Sequence, residues 1–267
     1  MEFQPWLTRW SLVPDGDPFA TPVTNSHLLP VRLGGVAAML KIAGNAHEVQ
    51  GGEVMAWWNG GGAARVIHHE AGAVLMARAL GTRSLMDMVA GGQDEAATEI
   101  ICHVVSQLHE PRPTTPPTMP ALVDRFGRQA ERARNIGGVV AGAFKQVNAL
   151  LAEPRDEAVL HGDVHHGNIL DFGDHGWLAI DPQAVRGERA YDYANILKNP
   201  DRSAATAKGR LQQQVELIAQ ASGFETRRLL QWSLCHAALS ACWSIEDGQD
   251  PALAMEVAEI ATAALED

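Results

Sequence analysis

The rhythm of apolar and polar positions changes near Gly81. Before it, short alternating apolar runs broken by Pro and Gly give residues 1–43 a strand-and-turn texture. "GVAAMLKIA" (35–43) predicts a strand closing on Lys41. "AHEVQGGEVMAWWNG" (46–60) predicts a helix with an imperfect apolar face of Val49, Met55, Trp57 and Trp58, weakened by Gly51-Gly52. "AARVIHHE" and "AVLMARAL" predict two strands joined at Ala71-Gly72. Beyond Gly81 the period becomes helical. "SLMDMVAGG" and "DEAATEIICHVVSQLHE" read as helices, the second with Ile100, Ile101, Val104, Val105 and Leu108 on its inner face. Residues 111–120 form a stiff, extended proline-rich connector, and helical stretches follow around 121–152, 204–222, 225–246 and 251–265. Nothing repeats at a fixed period, which disfavours a solenoid. The expectation is an α+β chain with a small β-rich lobe (1–80), a mostly helical lobe (81–267) and a cleft between them.

The chemistry concentrates in "HGDVHHGNILDFGDHGWLAIDP" (161–182). "NILD" and "WLAID" are short apolar strands around the turn "FGDHG", whose glycines and Asp-His centre suit a hairpin. Asn168 then opens the outgoing strand and Asp181 closes the returning one, so their side chains can meet at the open end near Asp163. Asp171 lies three residues past Asn168, about 10 Å along the strand and on its other face. The eye-catching Asp-Phe-Gly of 171–173 therefore reads as a hairpin turn rather than a magnesium site. Asn168 and Asp181 are hard oxygen donors of the kind Mg²⁺ takes beside phosphate and water. A carboxylate such as Asp163 beside them can orient a hydroxyl and accept its proton. The Asp163-to-Asn168 spacing matches the kinase catalytic-loop pattern, with Gly162 where protein kinases carry Arg.

Composition narrows the partners. The chain has 267 residues, 46% of them hydrophobic, enough for a sizeable core. A net charge of −11 disfavours nucleic acid and is compatible with a cationic small-molecule substrate. Cys102, Cys235 and Cys242 are too few and scattered for a disulfide framework and read as buried small hydrophobes. The start lacks a basic region followed by an apolar run, and no segment approaches the roughly 18 apolar residues of a membrane span. A soluble cytoplasmic protein is expected.

"LHGDVHHGNIL" (160–170), "WLAIDP" (177–182) and "ERAYDYANILKNP" (188–200) resemble the aminoglycoside phosphotransferases, closest to the streptomycin 6-kinase/hydroxyurea phosphotransferase group. "SHLLPV" (26–31), "AAMLKIA" (37–43) and "SACWSIEDG" (240–248) extend the likeness over most of the chain. The resemblance implies a two-lobed protein-kinase-like fold and an ATP- and Mg²⁺-dependent transfer to a small-molecule hydroxyl. Streptomycin at its 6-hydroxyl is the expected acceptor, with hydroxyurea or an endogenous metabolite as the alternative. It makes Asp163 the catalytic base, Asn168 and Asp181 the metal ligands, and Lys41 the holder of the α/β-phosphates. Glu48, with Glu53 as second choice, would be the ion-pair partner of Lys41. Residues 75–81, with Ala77 and Ala79, would be the adenine-facing hinge. "NSHLLPV" replaces a glycine-rich loop, which brings Ser26 and its neighbours towards ATP. Asp192 either favours a helix dipole or supports the catalytic loop. With Glu246 and Asp247 it makes up the candidate substrate-binding set, and the acidic cluster Glu246, Asp247 and Asp250 near Trp243 reads either as a cation contact or as a solvated turn.

Two other classes compete. His161, His165 and His166 around Asp163 could ligate zinc in a metallohydrolase, but no H-E-x-x-H pattern occurs and Lys41 and Asn168 would have no task. A catalytically silent binding protein is disfavoured by the intact Lys41, Asp163, Asn168 and Asp181 set.

Overall fold

The computed structural model describes residues 3–21 and 24–266. Its first element, helix α1 (Gln4–Arg9), lies where strand and turn were expected. Six residues are too few to show a helical period, and Pro5 suits a first turn whose N–H has no partner anyway. Trp6, Leu7 and Trp10 pack it against a small apolar cluster of Leu29, Val31, Leu40 and Leu75. Those cluster residues belong to an antiparallel sheet of β1 (Leu12–Pro14), β2 (Phe19–Ala20), β3 (His27–Leu33), β4 (Val36–Ile42), β5 (Val66–Glu70) and β6 (Ala73–Ala77). The order is β1-β3-β4-β6-β5, with β2 beside β3. Central β4 pairs Lys41 with Leu28 on one side and Val74 on the other, which holds the lysine's backbone in the middle of the sheet.

Helix α2 (Ala46–Trp58) is inserted between β4 and β5. Asn45 caps it, its side-chain oxygen accepting from the His47 and Glu48 N–H groups. The Gly51-Gly52 pair that weakens its propensity has a packing reason. A Cβ at Gly52 would meet Val74 Cγ2 at 2.6 Å, and one at Gly51 would collide with the Pro182 carbonyl, so the glycines let α2 lie close to the sheet and to the loop after Asp181.

After a short crossing segment the chain becomes helical: α3 (Leu85–Ala90), α4 (Asp94–Leu108), α5 (Leu122–Gly127), α6 (Ala130–Ile136) and α7 (Gly138–Ala152). The expected stretch 121–152 is thus three helices, and Gly137, at φ 74°, makes the last break. Two small ribbons follow. β7 (Glu157–Leu160) pairs with β10 (Val185–Glu188), and between them β8 (Ile169–Asp171) pairs with β9 (Trp177–Ala179). A 3₁₀ segment (Arg189–Lys198) leads into α8 (Arg202–Ala205), α9 (Arg210–Ser222), α10 (Thr226–Glu246) and α11 (Ala252–Glu266). Among the described residues no helix is long and apolar enough to cross a membrane.

The main core is built around α10, which buries fourteen of its residues. One polar cluster sits inside it. Glu188 receives the Arg228 guanidinium at 2.8 and 2.5 Å and Trp232 Nε1 at 2.9 Å. These contacts join β10, the strand that follows the Asp181 loop, to α10. Removing one partner strands a buried charge. Arg228→Ala should therefore lower the unfolding free energy by about 3–5 kcal/mol, measured by urea denaturation at neutral pH.

Candidate active site

The sheet and α2 bring two charged side chains together at the mouth of the interlobe cleft. Lys41 Nζ contacts Glu48 Oε2 and Asp181 Oδ1 at once, so one ammonium joins β4, α2 and the end of the β8–β9 hairpin. Burial opposes the charge on Lys41, but Asp181 and Glu48 outweigh it and hold its pKa above the ordinary lysine value. Glu48, and not Glu53, is the partner. Ser26 requires a correction. It is fully buried, donating to Glu48 Oε2 at 3.0 Å and accepting from Gly44 N at 3.2 Å, so it orders the ion pair and does not face a nucleotide.

Beside this pair a slot of about 320 Å³ opens, walled by Leu28, Met39, Met76, Ala77, Ala79, Leu170, Phe172 and Ile180, with Lys41 and Asp181 at its polar end. An apolar slot ending in a cation and a carboxylate suits a flat heterocycle with a charged tail. Ala77 and Ala79 thus lie on its wall, though the Ala77 N–H is already taken by the Arg65 carbonyl.

The catalytic-loop candidates form a second polar cluster. Asn195 Nδ2 donates to Asp163 Oδ1 at 2.9 Å, and Asn199 Nδ2 donates in turn to Asn195 Oδ1 at 3.2 Å. Among the described residues Asp163 Oδ2 has only longer neighbours, Asn168 Nδ2 at 3.4 Å and His165 Nε2 at 3.9 Å. Asn168 spends its amide nitrogen on the Asp163 carbonyl at 3.0 Å, which leaves its own oxygen available. Asp181 adopts φ 60°, a left-handed conformation that Asp tolerates better than most residues. Asn195 was missed in the sequence; the only signal was its place three residues after Asp192 in a 3₁₀ segment, where i and i+3 eclipse.

Asp192 also needs correction as a substrate contact. Its carboxylate is fully enclosed and accepts from His109 Nε2 at 2.8 Å, His161 N at 2.9 Å and Gly162 N at 2.7 Å. It pins the backbone of the loop that carries Asp163. Burial would raise its pKa, but His109 and the loop N–H hold it below the ordinary carboxylate value. His161 completes the tie. Its Nδ1 accepts from Asp163 N at 3.2 Å, so its Nε2 carries the proton and donates to the Ile180 carbonyl at 2.9 Å.

Asp171 lies elsewhere. Its carboxylate takes Arg83 Nε at 2.8 Å and Nη2 at 3.0 Å, with Gly173 N at 3.0 Å, and Arg83 drives its pKa far below the usual range. It fastens the hairpin to the crossing segment, where Gly81 N also donates to the Asp171 carbonyl. His165 and His166 are both pushed towards neutrality, first by burial; His166 falls to about 4. Among the described residues no three His, Cys, Asp or Glu side chains converge to hold a metal.

A second cleft, about 700 Å³, is lined by His47, Gln50, Arg125, Trp243, Glu246 and Asp247 among others. It brings the predicted Glu246 and Asp247 together with Trp243. Glu246, however, is already engaged by Gln129 Nε2 at 2.7 Å and Arg132 at 3.2 Å.

Comparison with known proteins identifies the chain. The model of the aminoglycoside/hydroxyurea antibiotic resistance kinases matches residues 9–248. The chain belongs to this family. This kinase is 43% identical to the streptomycin 3''-kinase of Klebsiella pneumoniae over 247 residues, 91% of its own length and 92% of that protein's. It is 27% identical to the streptomycin 6-kinase of Streptomyces griseus, covering 91% and 81%. A solved choline/ethanolamine kinase family protein from Mesorhizobium loti superposes with a TM-score of 0.68 at 18% identity, over 98% of this kinase and 91% of that chain. The expected two-lobed, kinase-like α+β fold and small-molecule kinase activity hold, with ATP as the donor that kinase membership implies.

In this kinase, Asp192 should link loop geometry to acid stability. Because its folded pKa is depressed, its stabilisation is complete at neutral pH and fades as pH falls below the ordinary carboxylate value. Asp192→Asn should unfold at lower urea at neutral pH and lose less further stability on acidification to about pH 3. Urea melts across that range check both.

Proposed function

We propose that this kinase transfers the γ-phosphoryl group of ATP to streptomycin, at the 3'' hydroxyl. The sequence led to the 6-hydroxyl; the 43% identity across 92% of a 3''-kinase, against 27% for a 6-kinase, supports the 3'' position. The observation carrying the catalytic reading is the tie between two clusters: His161 accepts from Asp163 N and donates to the carbonyl of Ile180, the residue before Asp181, which Lys41 and Glu48 engage. Asn195 occupies Asp163 Oδ1, so Oδ2 is the oxygen left to accept the acceptor's hydroxyl proton. Lys41 reaches the slot in which the nucleotide would lie, and Glu48 keeps its ammonium extended towards the phosphates.

The free Asn168 oxygen and the Asp181 carboxylate are hard donors that suit Mg²⁺. When bound, such an ion screens the charge that gathers on the transferring group. The larger cleft is the proposed acceptor site. Asp247 offers a carboxylate to a cationic sugar beside Trp243, and about 700 Å³ fits a multi-ring antibiotic far better than the few atoms of hydroxyurea.

The test is incubation of the purified protein with ATP, Mg²⁺ and streptomycin, with phosphorus-coupled NMR to locate the added phosphate. Phosphate on the 3'' oxygen is expected; phosphate on the 6-oxygen, or no transfer, overturns the proposal. Asp163→Ala should lower turnover by at least about 100-fold while nucleotide binding persists. Asp181→Ala should also be inactive. Asp171→Ala should keep turnover and lose thermal stability; the reverse pattern would return the metal site to Asp171.

A further inference from the structure

Arg125 lines the proposed acceptor cleft and also touches both loops that carry the proposed chemistry. It extends from α5, is 7% exposed, and has no carboxylate partner among the described residues. Its Nη1 donates to the Gly162 carbonyl at 2.9 Å and its Nη2 to the Gln183 carbonyl at 2.5 Å. Gly162 immediately precedes Asp163, and Gln183 lies two residues after Asp181. The two loops meet tightly here. Gly162 stands at φ 75°, and a Cβ on it would lie 2.6 Å from the Gln183 oxygen and 3.0 Å from Arg125 Nη1. The guanidinium lies 5.9 Å from the ring centroids of both Tyr191 and Trp243. Tyr191 also neighbours Asp192 in the segment that pins the catalytic loop, and Trp243 lines the acceptor cleft.

A cation facing two carbonyls from different loops, with aromatic rings in place of a carboxylate, differs from a structural ion pair. The planar fork can hold two acceptors in a set relation, which a lysine ammonium at the same place cannot do. Each carbonyl lies within two residues of an aspartate, Asp163 or Asp181, proposed to act in the same transfer.

We infer that Arg125 is a positioning residue: its guanidinium staples the Gly162 and Gln183 carbonyls together and so sets the distance from the base Asp163 to the metal ligand Asp181. The inference rests on the roles proposed above for those two aspartates. A staple of this kind acts on the geometry of transfer rather than on nucleotide affinity, because the slot that would hold the nucleotide is lined by other residues. Displacing a reacting group by even about 1 Å can cost about 100-fold in rate.

The test compares Arg125→Ala and Arg125→Lys with the unaltered protein in streptomycin phosphorylation, with Asp163→Ala run in parallel. Arg125→Ala should lose about 100-fold in kcat while the KM for ATP changes less than about threefold. Arg125 lines the 700 Å³ cleft, so truncation leaves a hole open to solvent. Millimolar guanidinium chloride should therefore restore part of the lost kcat in Arg125→Ala and none in the unaltered protein. Arg125→Lys, which keeps charge and most of the volume, should fold normally and still show the kcat loss; it decides the matter if Arg125→Ala does not fold. A folded variant with kcat unchanged, or a loss seen entirely in KM for ATP, overturns the staple. If Asp163→Ala retains turnover, the catalytic reading fails first. If Asp163→Ala is inactive and Arg125→Lys is normal, the staple alone is wrong.

Discussion

One ammonium group holds the site in register. Lys41 Nζ is shared between Glu48 of the small lobe and Asp181 of the large one, so a single cation joins β4, α2 and the end of the β8–β9 hairpin. Much of the surrounding structure serves that meeting. The central position of β4 fixes the lysine backbone, Asn45 caps the helix that carries Glu48, and Ser26 holds the Glu48 carboxylate from behind. The glycine pair in α2 removes the two Cβ atoms that would push the helix away from Pro182 and Val74. A lower helix propensity, about 1 kcal/mol per glycine relative to alanine, is thereby exchanged for proximity to the loop of Asp181.

The opposite wall depends on buried acceptors rather than on a shared cation. Asp192 collects one side-chain and two backbone donors and so orders the loop from Leu160 to Asp163. His161 carries that order across to Ile180, the residue before Asp181. Asn195 continues it to Asp163 itself. A carboxylate so enclosed is stable only when donors engage both of its oxygens, as His109 and His161 N do one and Gly162 N the other.

The largest divergence between motif and role concerns Asp-Phe-Gly. Strand periodicity was enough to separate Asp171 from Asn168, because a three-residue offset moves a side chain both along and through a ribbon. What Asp171 does instead was not legible, since Arg83 reaches it from 88 residues away. The same limit applies to Ser26 and Asn195. Each forms its decisive hydrogen bond with a residue 22 or 32 positions distant, and nothing in a short window marks such a partner. Helix α1 and the breaks inside 121–152 escaped for a different reason: their segments are too short for a period to emerge.

The sequence by itself determined the division into a β-rich and a helical part, the hairpin of 168–181 and the identity of the charged residues at its open end. Each follows from local rules of periodicity, turn chemistry and donor type, which act within a few residues. Only the tertiary structure decided that Glu48 rather than Glu53 meets Lys41, that Asp192 faces backbone rather than substrate, and that Arg125 joins the two loops. Those outcomes depend on which side chains long-range packing buries together, and a buried charge takes whatever partner the fold places within about 3 Å.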